Sequence, residues 1–258
     1  MGIQEIRKQF EEAQEELAGR QETEALRELI SRYREDERAG VQALLKRAEK
    51  QLDALQNERE RMWEMKRFER EYGVKGYVCG IDEAGRGPLA GPVVAGAVIL
   101  PEKEILYLND SKKLSAKKRE ELYEVIMQEA VAVGVGYASP ERIDEINILQ
   151  ATYEAMRDAI AQLSVKPSVL LNDAVTIPGV AIQQVPIIKG DAKSASIAAA
   201  SIIAKVTRDR LMEKYDAVFP QYGFAAHKGY GAAAHIEALK KYGPCPIHRR
   251  SFIGHFTA

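Results

Sequence analysis

Tyr77-Val78-Cys79-Gly80-Ile81-Asp82-Glu83-Ala84-Gly85-Arg86-Gly87-Pro88 places an apolar run, two adjacent carboxylates and a glycine turn in direct succession. The apolar part, residues 77–81, reads as a buried strand bounded by turn signals. Cys79, inside it, reads as a small core residue. Carboxylates at the end of such a strand do not build a core. They fit the carboxyl edge of an α/β sheet, where such folds place their ligands. Neighbouring residues of a regular strand face opposite sides. Asp82 and Glu83 can therefore share a site only if the strand ends or bulges there, and Gly85 and Gly87 predict such an ending. Glycine also lets a backbone approach a ligand closely, and its amides can donate to phosphate or sugar oxygens.

Downstream, strand-like runs recur at residues 93–100 and 131–137, with a helix over 115–129 capped by Ser115 between them. Ser139-Pro140-Glu141 combines a cap, a proline at the first helical position and an acid in the first turn. The helix it starts is expected to run to about Leu163. Residues 169–171 and 185–188 follow as buried strands. A long helix opens at Asp191 or its neighbours, runs through Ile197, Ile202, Ile203, Val206 and Leu211, and stops before Pro220. A last helix follows Gly231. Strands alternating with helices in this way predict a mixed α/β sheet with helices on its faces.

Two further acids stand at strand ends: Asp173 after residues 169–171, and Asp191 in Lys189-Gly190-Asp191. Each alone reads equally as a turn residue or a helix cap. Together with Asp82 and Glu83 they predict convergence at one sheet edge. Converged acids repel unless they share protons or hold cations, and hard oxygen ligands suit Mg2+ or Mn2+. A third feature is Phe219-Pro220-Gln221-Tyr222-Gly223-Phe224, followed by His227-Lys228-Gly229-Tyr230. Phe219 and Phe224 read as an aromatic core patch. Tyr230, between glycines, reads as exposed and available to stack on a sugar or base. The four histidines are far apart, and no Cys-x-x-Cys pair suggests zinc.

Upstream, residues 1–72 hold no proline and three glycines. Apolar residues recur at helical spacing: Ile3, Ile6 and Phe10, then Leu26, Leu29, Ile30 and Tyr33, then Val41, Leu44, Leu45, Leu52 and Leu55. The region from Gly19 to Thr23 is a natural break and Asp36 a natural helix cap. The pattern predicts a helical hairpin or three-helix appendage, 1–72, ahead of a main domain, 73–258. Stabilising the main domain and gripping substrate are both open roles for it.

The 258 residues are 46% hydrophobic and 29% charged, with net charge −1, so the total charge carries no sign of nucleic acid. The distribution does. Lys and Arg number 15 against 18 acids in residues 1–72, but 11 against 5 in residues 189–258, enough for a phosphate-facing surface. No apolar run approaches the roughly 18–20 residues of a membrane span. A charged N-terminus and two cysteines give a cytoplasmic expectation.

These motifs together resemble the bacterial ribonuclease HII family. The resemblance rests on residues 80–88, on Asn109-Asp110-Ser111-Lys112-Lys113-Leu114 and on Lys189-Gly190-Asp191. It continues through residues 199–209, Pro220 to Phe224, His227 to Tyr230, and His248-Arg249-Arg250-Ser251-Phe252, in the family's order from about residue 74 onward. It implies an RNase H-like five-stranded mixed sheet flanked by helices. It also implies endonucleolytic cleavage of RNA in RNA–DNA hybrids and of single ribonucleotides embedded in duplex DNA, in support of ribonucleotide removal, by a monomer. The four carboxylates of the family map onto Asp82, Glu83, Asp173 and Asp191. Its ribose-reading turn maps onto Gly85, Arg86 and Gly87, and its sugar-contacting tyrosine onto Tyr230. Lys112, Lys189, Lys205 and Arg208 are positional candidates for phosphate contacts.

By the same resemblance two Mg2+ or Mn2+ ions lie roughly 3.5–4 Å apart across the scissile phosphate. Asp82 bridges them, Asp191 completes the water side, Glu83 and Asp173 the leaving-group side, and the product carries a 5′-phosphate. Asn172 departs from the family pattern, which has an apolar residue before the third acid, and puts the strand end at Asp173 in question. The rival readings are another RNase H-fold nuclease, such as ribonuclease HIII, an integrase or a junction resolvase, and a non-catalytic hybrid-binding module. Asp rather than Glu at residue 191, and the helical N-terminus, favour ribonuclease HII over HIII.

Overall fold

The computed structural model describes residues 1–256 and divides into two compact units, Met1–Arg61 and Met62–Ala258. In the first unit α1 (Ile3–Arg20), α2 (Glu24–Tyr33) and the leading part of α3 (Ala39–Met65) form a three-helix bundle. Their apolar stripes have helical spacing: Ile6, Phe10 and Ala13; Leu26 and Leu29; Val41, Leu45 and Ala48. All are buried against one another. Gln21 in the left-handed region ends α1 where a break is expected. Just ahead of α3 the Asp36 carboxylate accepts both the Arg38 amide and the Arg38 guanidinium.

The second unit takes in α4 (Arg67–Gly73) as well as the sheet. Residues 62–72, assigned from sequence to the appendage, thus pack with the sheet: Phe68 and Tyr72 lie against Val78, Val169, Leu171 and Ile187. The strands are β1 (Val78–Ala84), β2 (Val93–Ile99), β3 (Ala132–Ala138), β4 (Val169–Asp173) and β5 (Gln183–Ile187), in spatial order β3-β2-β1-β4-β5. β1–β2 and β2–β3 are antiparallel, while β1–β4 and β4–β5 are parallel. Between them lie α5 (Ala116–Glu129) and α6 (Pro140–Ala161), and α7 (Ala195–Val218) follows β5. The chain closes with α8 (Phe224–His227), α9 (Ala233–Tyr242) and α10 (Arg250–Ile253). This is the five-stranded mixed sheet flanked by helices that the sequence predicts. Among the described residues no helix is long and apolar enough to cross a membrane.

Residues of alternate parity face opposite helices. Cys79, Ile81, Val93, Ala95, Ala97 and Leu170 build the core under α6, with Ala151, Ala155 and Ala159. On the other face α7 lies directly on the strands. A Cβ at Gly80 would fall 2.1 Å from the Ser196 carbonyl carbon, and one at Gly96 2.5 Å from the Ala200 oxygen. Glycine in the strands and alanine in α7 bring the helix onto the sheet backbone. Ser115 and Ser139 cap α5 and α6 as expected, each cap contributing about 1 kcal/mol. The helix expected to run unbroken to about Leu163 is interrupted at Asn147 (φ 67°), whose side chain accepts the amides of Leu149 and Gln150 and restarts the helix.

Candidate active site

Parallel pairing sets the acids together. Ile81 lies opposite Asn172, so the next residues, Asp82 and Asp173, come into line on the α7 face. After β5 the chain makes a single 3-10 turn, Gly190–Ala192, carrying the buried Asp191. The Gly190 amide donates to Asp173 Oδ1 at 2.7 Å, which ties the turn to the end of β4. Ser194, rather than Asp191, caps α7 by accepting the Ile197 amide, so the Asp191 carboxylate is free of that duty.

The electrostatics report the convergence. Burial pushes the Asp82 carboxyl well above the usual carboxylate range, and the charges of Glu83 and Asp173 push the same way. Glu83 is raised by burial and by Asp173, with Arg86 pulling it down. Asp191 is raised by burial, then by Asp110 and Asp173, while Lys112 opposes. Asp110 is therefore a fifth carboxylate at this edge. Nothing in its local sequence marks Asp110 for this role; its place beside Asp191 depends on tertiary structure alone.

Among the described residues no group of three or more acids, histidines or cysteines is already closed into a metal-holding arrangement. The donor chemistry nevertheless fits hard divalent cations: carboxylate oxygens only, with like charge from their neighbours raising Asp82, Glu83 and Asp191, which is the repulsion a divalent cation neutralises.

One expectation is corrected. β1 does not end or bulge at Asp82–Glu83; its antiparallel register with β2 continues through Glu83–Ala95 to Ala84–Val94. What ends is the pairing with β4, at Ile81–Asn172. Beyond that point β1 is paired on one side, and Asp82 curls to accept the Glu83 amide at 2.8 Å. Asn172 does not displace the strand end. Its side chain donates to the Val175 carbonyl and Gln184 Oε1, and β4 pairs in register through Asp173–Ile187.

The glycine turn follows at once. Gly85 has φ +95°, and a Cβ there would strike the Arg208 guanidinium, so both conformation and space require glycine. Gly87 and Arg86 are exposed, and the Tyr230 ring lies 3.9 Å from where a Gly87 Cβ would be. Tyr230 is 46% exposed, as its sequence context predicts, while Phe224 is buried. Turn and tyrosine form one surface beside the acids.

Two buried arginines support that surface from behind. Arg208 donates to the carbonyls of Pro92, Lys228 and Ala90 at 3.0, 2.8 and 3.0 Å. Arg249 donates to those of Gly91, Arg86 and Gly85 at 2.9, 2.9 and 2.5 Å. The expectation that Arg208 contacts phosphate is thereby corrected: its guanidinium is consumed by backbone oxygens, and its role is positional. Lys205 is likewise engaged, with Asp209 at 2.8 Å. Lys112 and Lys189 are exposed beside the acids, which keeps them as candidates. Arg210 pairs with Glu120 and Glu124, and Lys228 with Glu213. Much of the basic excess after residue 189 is therefore spent within the fold.

Three histidines distant in sequence meet next to Tyr230. The His235 Nδ1–H donates to the Tyr230 carbonyl at 2.8 Å, since a carbonyl can only accept. His235 Nε2 then accepts from His248 Nε2–H at 3.0 Å, and His248 Nδ1 accepts the Cys245 amide at 3.0 Å. His227 stacks on His235 at 4.4 Å. The chain of partners demands neutral rings, and burial lowers His248 to about 4.

Comparison with known proteins places these features. The sequence profile of a family described as Ribonuclease HII matches residues 79–255, and that of a Ribonuclease HII N-terminal domain matches residues 2–73. The chain is 64% identical to Ribonuclease HII of Lachnoclostridium phytofermentans over 88% of its own length and 90% of that protein. It is 55% identical to Ribonuclease HII of Clostridioides difficile over 90% and 92%. Among solved structures, the ribonuclease H2 of Pyrococcus horikoshii superposes with TM-score 0.57 at 33% identity, over 68% of this chain and 93% of that one. The RNase HII of a PCNA complex from Archaeoglobus fulgidus gives TM-score 0.59 at 29% identity, over 70% and 97%.

Proposed function

On the premise that the chain belongs to the ribonuclease HII family, whose members are divalent-metal-dependent ribonucleases H acting on RNA–DNA hybrids, we propose that it nicks duplexes at ribonucleotides. Its substrates are the RNA strand of RNA–DNA hybrids and single ribonucleotides within duplex DNA, and its products carry a 5′-phosphate. The observation that carries this reading is the edge where Asp82, Glu83, Asp173 and Asp191 adjoin the turn Gly85–Gly87 and Tyr230.

Asp82, Glu83, Asp173 and Asp191 would hold two Mg2+ or Mn2+ ions. When bound, these supply an activated water and charge stabilisation for the leaving oxygen, worth several kcal/mol. The protein's own residues do the rest. A 2′-hydroxyl both donates and accepts, and the backbone groups of Gly85, Arg86 and Gly87 with the Tyr230 hydroxyl offer both kinds of partner. The Tyr230 ring offers a stacking face beside them. Lys112 and Lys189, exposed at the rim, meet the phosphates on either side. Because Arg249 fixes the turn, and Arg208 the segments packed beside it, before substrate arrives, little ordering remains to oppose binding.

The test is incision of three duplexes: a hybrid, a DNA duplex with one embedded ribonucleotide, and the same duplex all in DNA. Metal-dependent cuts in the first two only, leaving 5′-phosphate ends, are expected. Tight binding of the hybrid with no incision in either Mg2+ or Mn2+ would make the protein a hybrid-binding module instead.

A further inference from the structure

Glu69 lies in α4, outside every sequence motif of the candidate site. Its Oε1 accepts three hydrogen bonds at the start of α7: from Ser194 Oγ at 2.6 Å, the Ser196 amide at 2.8 Å and Ser196 Oγ at 2.7 Å. Both serines are fully buried. The other oxygen, Oε2, is also buried and has no hydrogen-bond partner among the described residues. Oε1 thus takes donors from the cap and first turn of a 24-residue helix.

The connection from Glu69 to the acids is short. Ser194, held by Glu69, caps α7 and sends its own amide back to the Gly190 carbonyl at 2.8 Å. Gly190 begins the turn that carries Asp191, and its amide is the one that holds Asp173 Oδ1. Ile197, one residue beyond Ser196, packs on Gly190 so closely that a Cβ there would lie 2.6 Å from Ile197 Cδ1. One carboxylate thus fixes the first residues of α7, and these fix the turn between two of the four acids.

We propose that Glu69 is a positioning residue for the metal site, setting the placement of Asp191 and Asp173 through Ser194, Ser196 and the Gly190 turn. The inference rests on the four-carboxylate reading above. It also gives α4 a task in the chemistry of the second unit that its short, motif-free sequence does not announce. Partners directly behind metal ligands typically change affinity by about 10–100-fold when removed; Glu69 acts further back, through Ser194 and Gly190, so the lower end of that range sets the scale.

The experiment is calorimetric titration of the substrate-free, full-length protein with Mn2+, alongside thermal melting. Glu69→Ala is expected to weaken Mn2+ binding about tenfold, and Glu69→Gln, which keeps an acceptor oxygen, by less. Ser115→Ala, which removes the cap of α5, serves as the control: its melting temperature falls and its Mn2+ affinity holds. If Glu69→Ala does not fold, Ser196→Ala removes the Oγ donor to Glu69 while keeping the amide, and is expected to weaken Mn2+ in the same direction by less. Wild-type Mn2+ affinity in a folded Glu69→Ala protein, or in Ser196→Ala where that variant stands in, overturns the proposal and leaves Glu69 a helix cap. A wild-type protein that binds no Mn2+ faults the metal-site reading itself, and the proposal falls with it.

Discussion

Asp82 and Arg249 are both buried charges bordering the turn at Gly85, 6% and 0% exposed, yet their surroundings differ in kind. Asp82 faces like charge from Glu83 and Asp173. Arg249 spends its three nitrogens on three backbone carbonyls. The first arrangement is poor for folding and suited to holding cations. The second gives each nitrogen a backbone acceptor and is suited to holding a shape, even though burial and the neighbouring Arg208 charge lower Arg249 to about 9. The contrast shows how one short loop can combine chemistry and recognition: carboxylates crowded against one another do the former, and guanidinium groups anchored on carbonyls hold the backbone that does the latter.

Neutralising one charge in each region pulls the contrast apart. Asp82→Asn is expected to lower kcat by at least about a thousandfold, the equivalent of several kcal/mol of lost charge stabilisation. Because it removes a buried charge facing like charges, the melting temperature should hold or rise. A marked fall would mean that Asp82 is structural. Arg249→Met should do the reverse. It strands the buried carbonyls of Gly91 and Gly85 and the half-buried one of Arg86, at about 1–3 kcal/mol for each buried group, so chemical denaturation should show a loss of roughly 3 kcal/mol. A loss under about 1 kcal/mol would mean that Arg249 does not hold the turn.

Acid should act on the recognition side. His248 is lowered to about 4 by burial and by His235, below the unperturbed value of about 6.5. Its neutral form therefore contributes stability that is fully present above pH 6.5 and is lost as pH falls toward 4, up to about 3 kcal/mol. Denaturation at several pH values should show that slope, and His248→Asn should flatten it. An unchanged slope in the variant would place the acid sensitivity elsewhere. The smallest expected effect is at Tyr230. Tyr230→Ala should weaken single-ribonucleotide cleavage by about 1–3 kcal/mol and Tyr230→Phe by less, since the ring remains. Equal, wild-type-like rates would remove Tyr230 from the recognition surface.

Much of this was legible in sequence for local reasons. Four of the strands, the caps at Ser115 and Ser139 and the stripes of the N-terminal bundle follow from periodicity and from residues that act on their neighbours; the fifth, expected buried over 185–188, is instead the edge strand Gln183–Ile187 with only Ile187 buried. The four acids were legible because carboxylates at strand ends have no core function. What was illegible depends on contacts across the chain. Arg208 reads as a cation on a helix and becomes a buried brace because Pro92, Lys228 and Ala90 turn their carbonyls toward it. The histidines carry no spacing signal and meet through the folding of residues 222–249. Asn172 looks like a disruption and is absorbed because Gln184, on the neighbouring strand, receives its amide.

The claim on which the account turns is that the conflict at the acid edge is resolved by divalent cations. Thermal melting of the wild type and of Asp82→Asn across a Mn2+ titration, against a chelator baseline, tests it most directly. Ligand that binds only the folded state stabilises by RT ln(1 + [L]/Kd), about 2.7 kcal/mol at a hundred times Kd. The account predicts a melting temperature that climbs with Mn2+ in the wild type and climbs far less in Asp82→Asn. A wild type indifferent to Mn2+, or two proteins that respond alike, would contradict it.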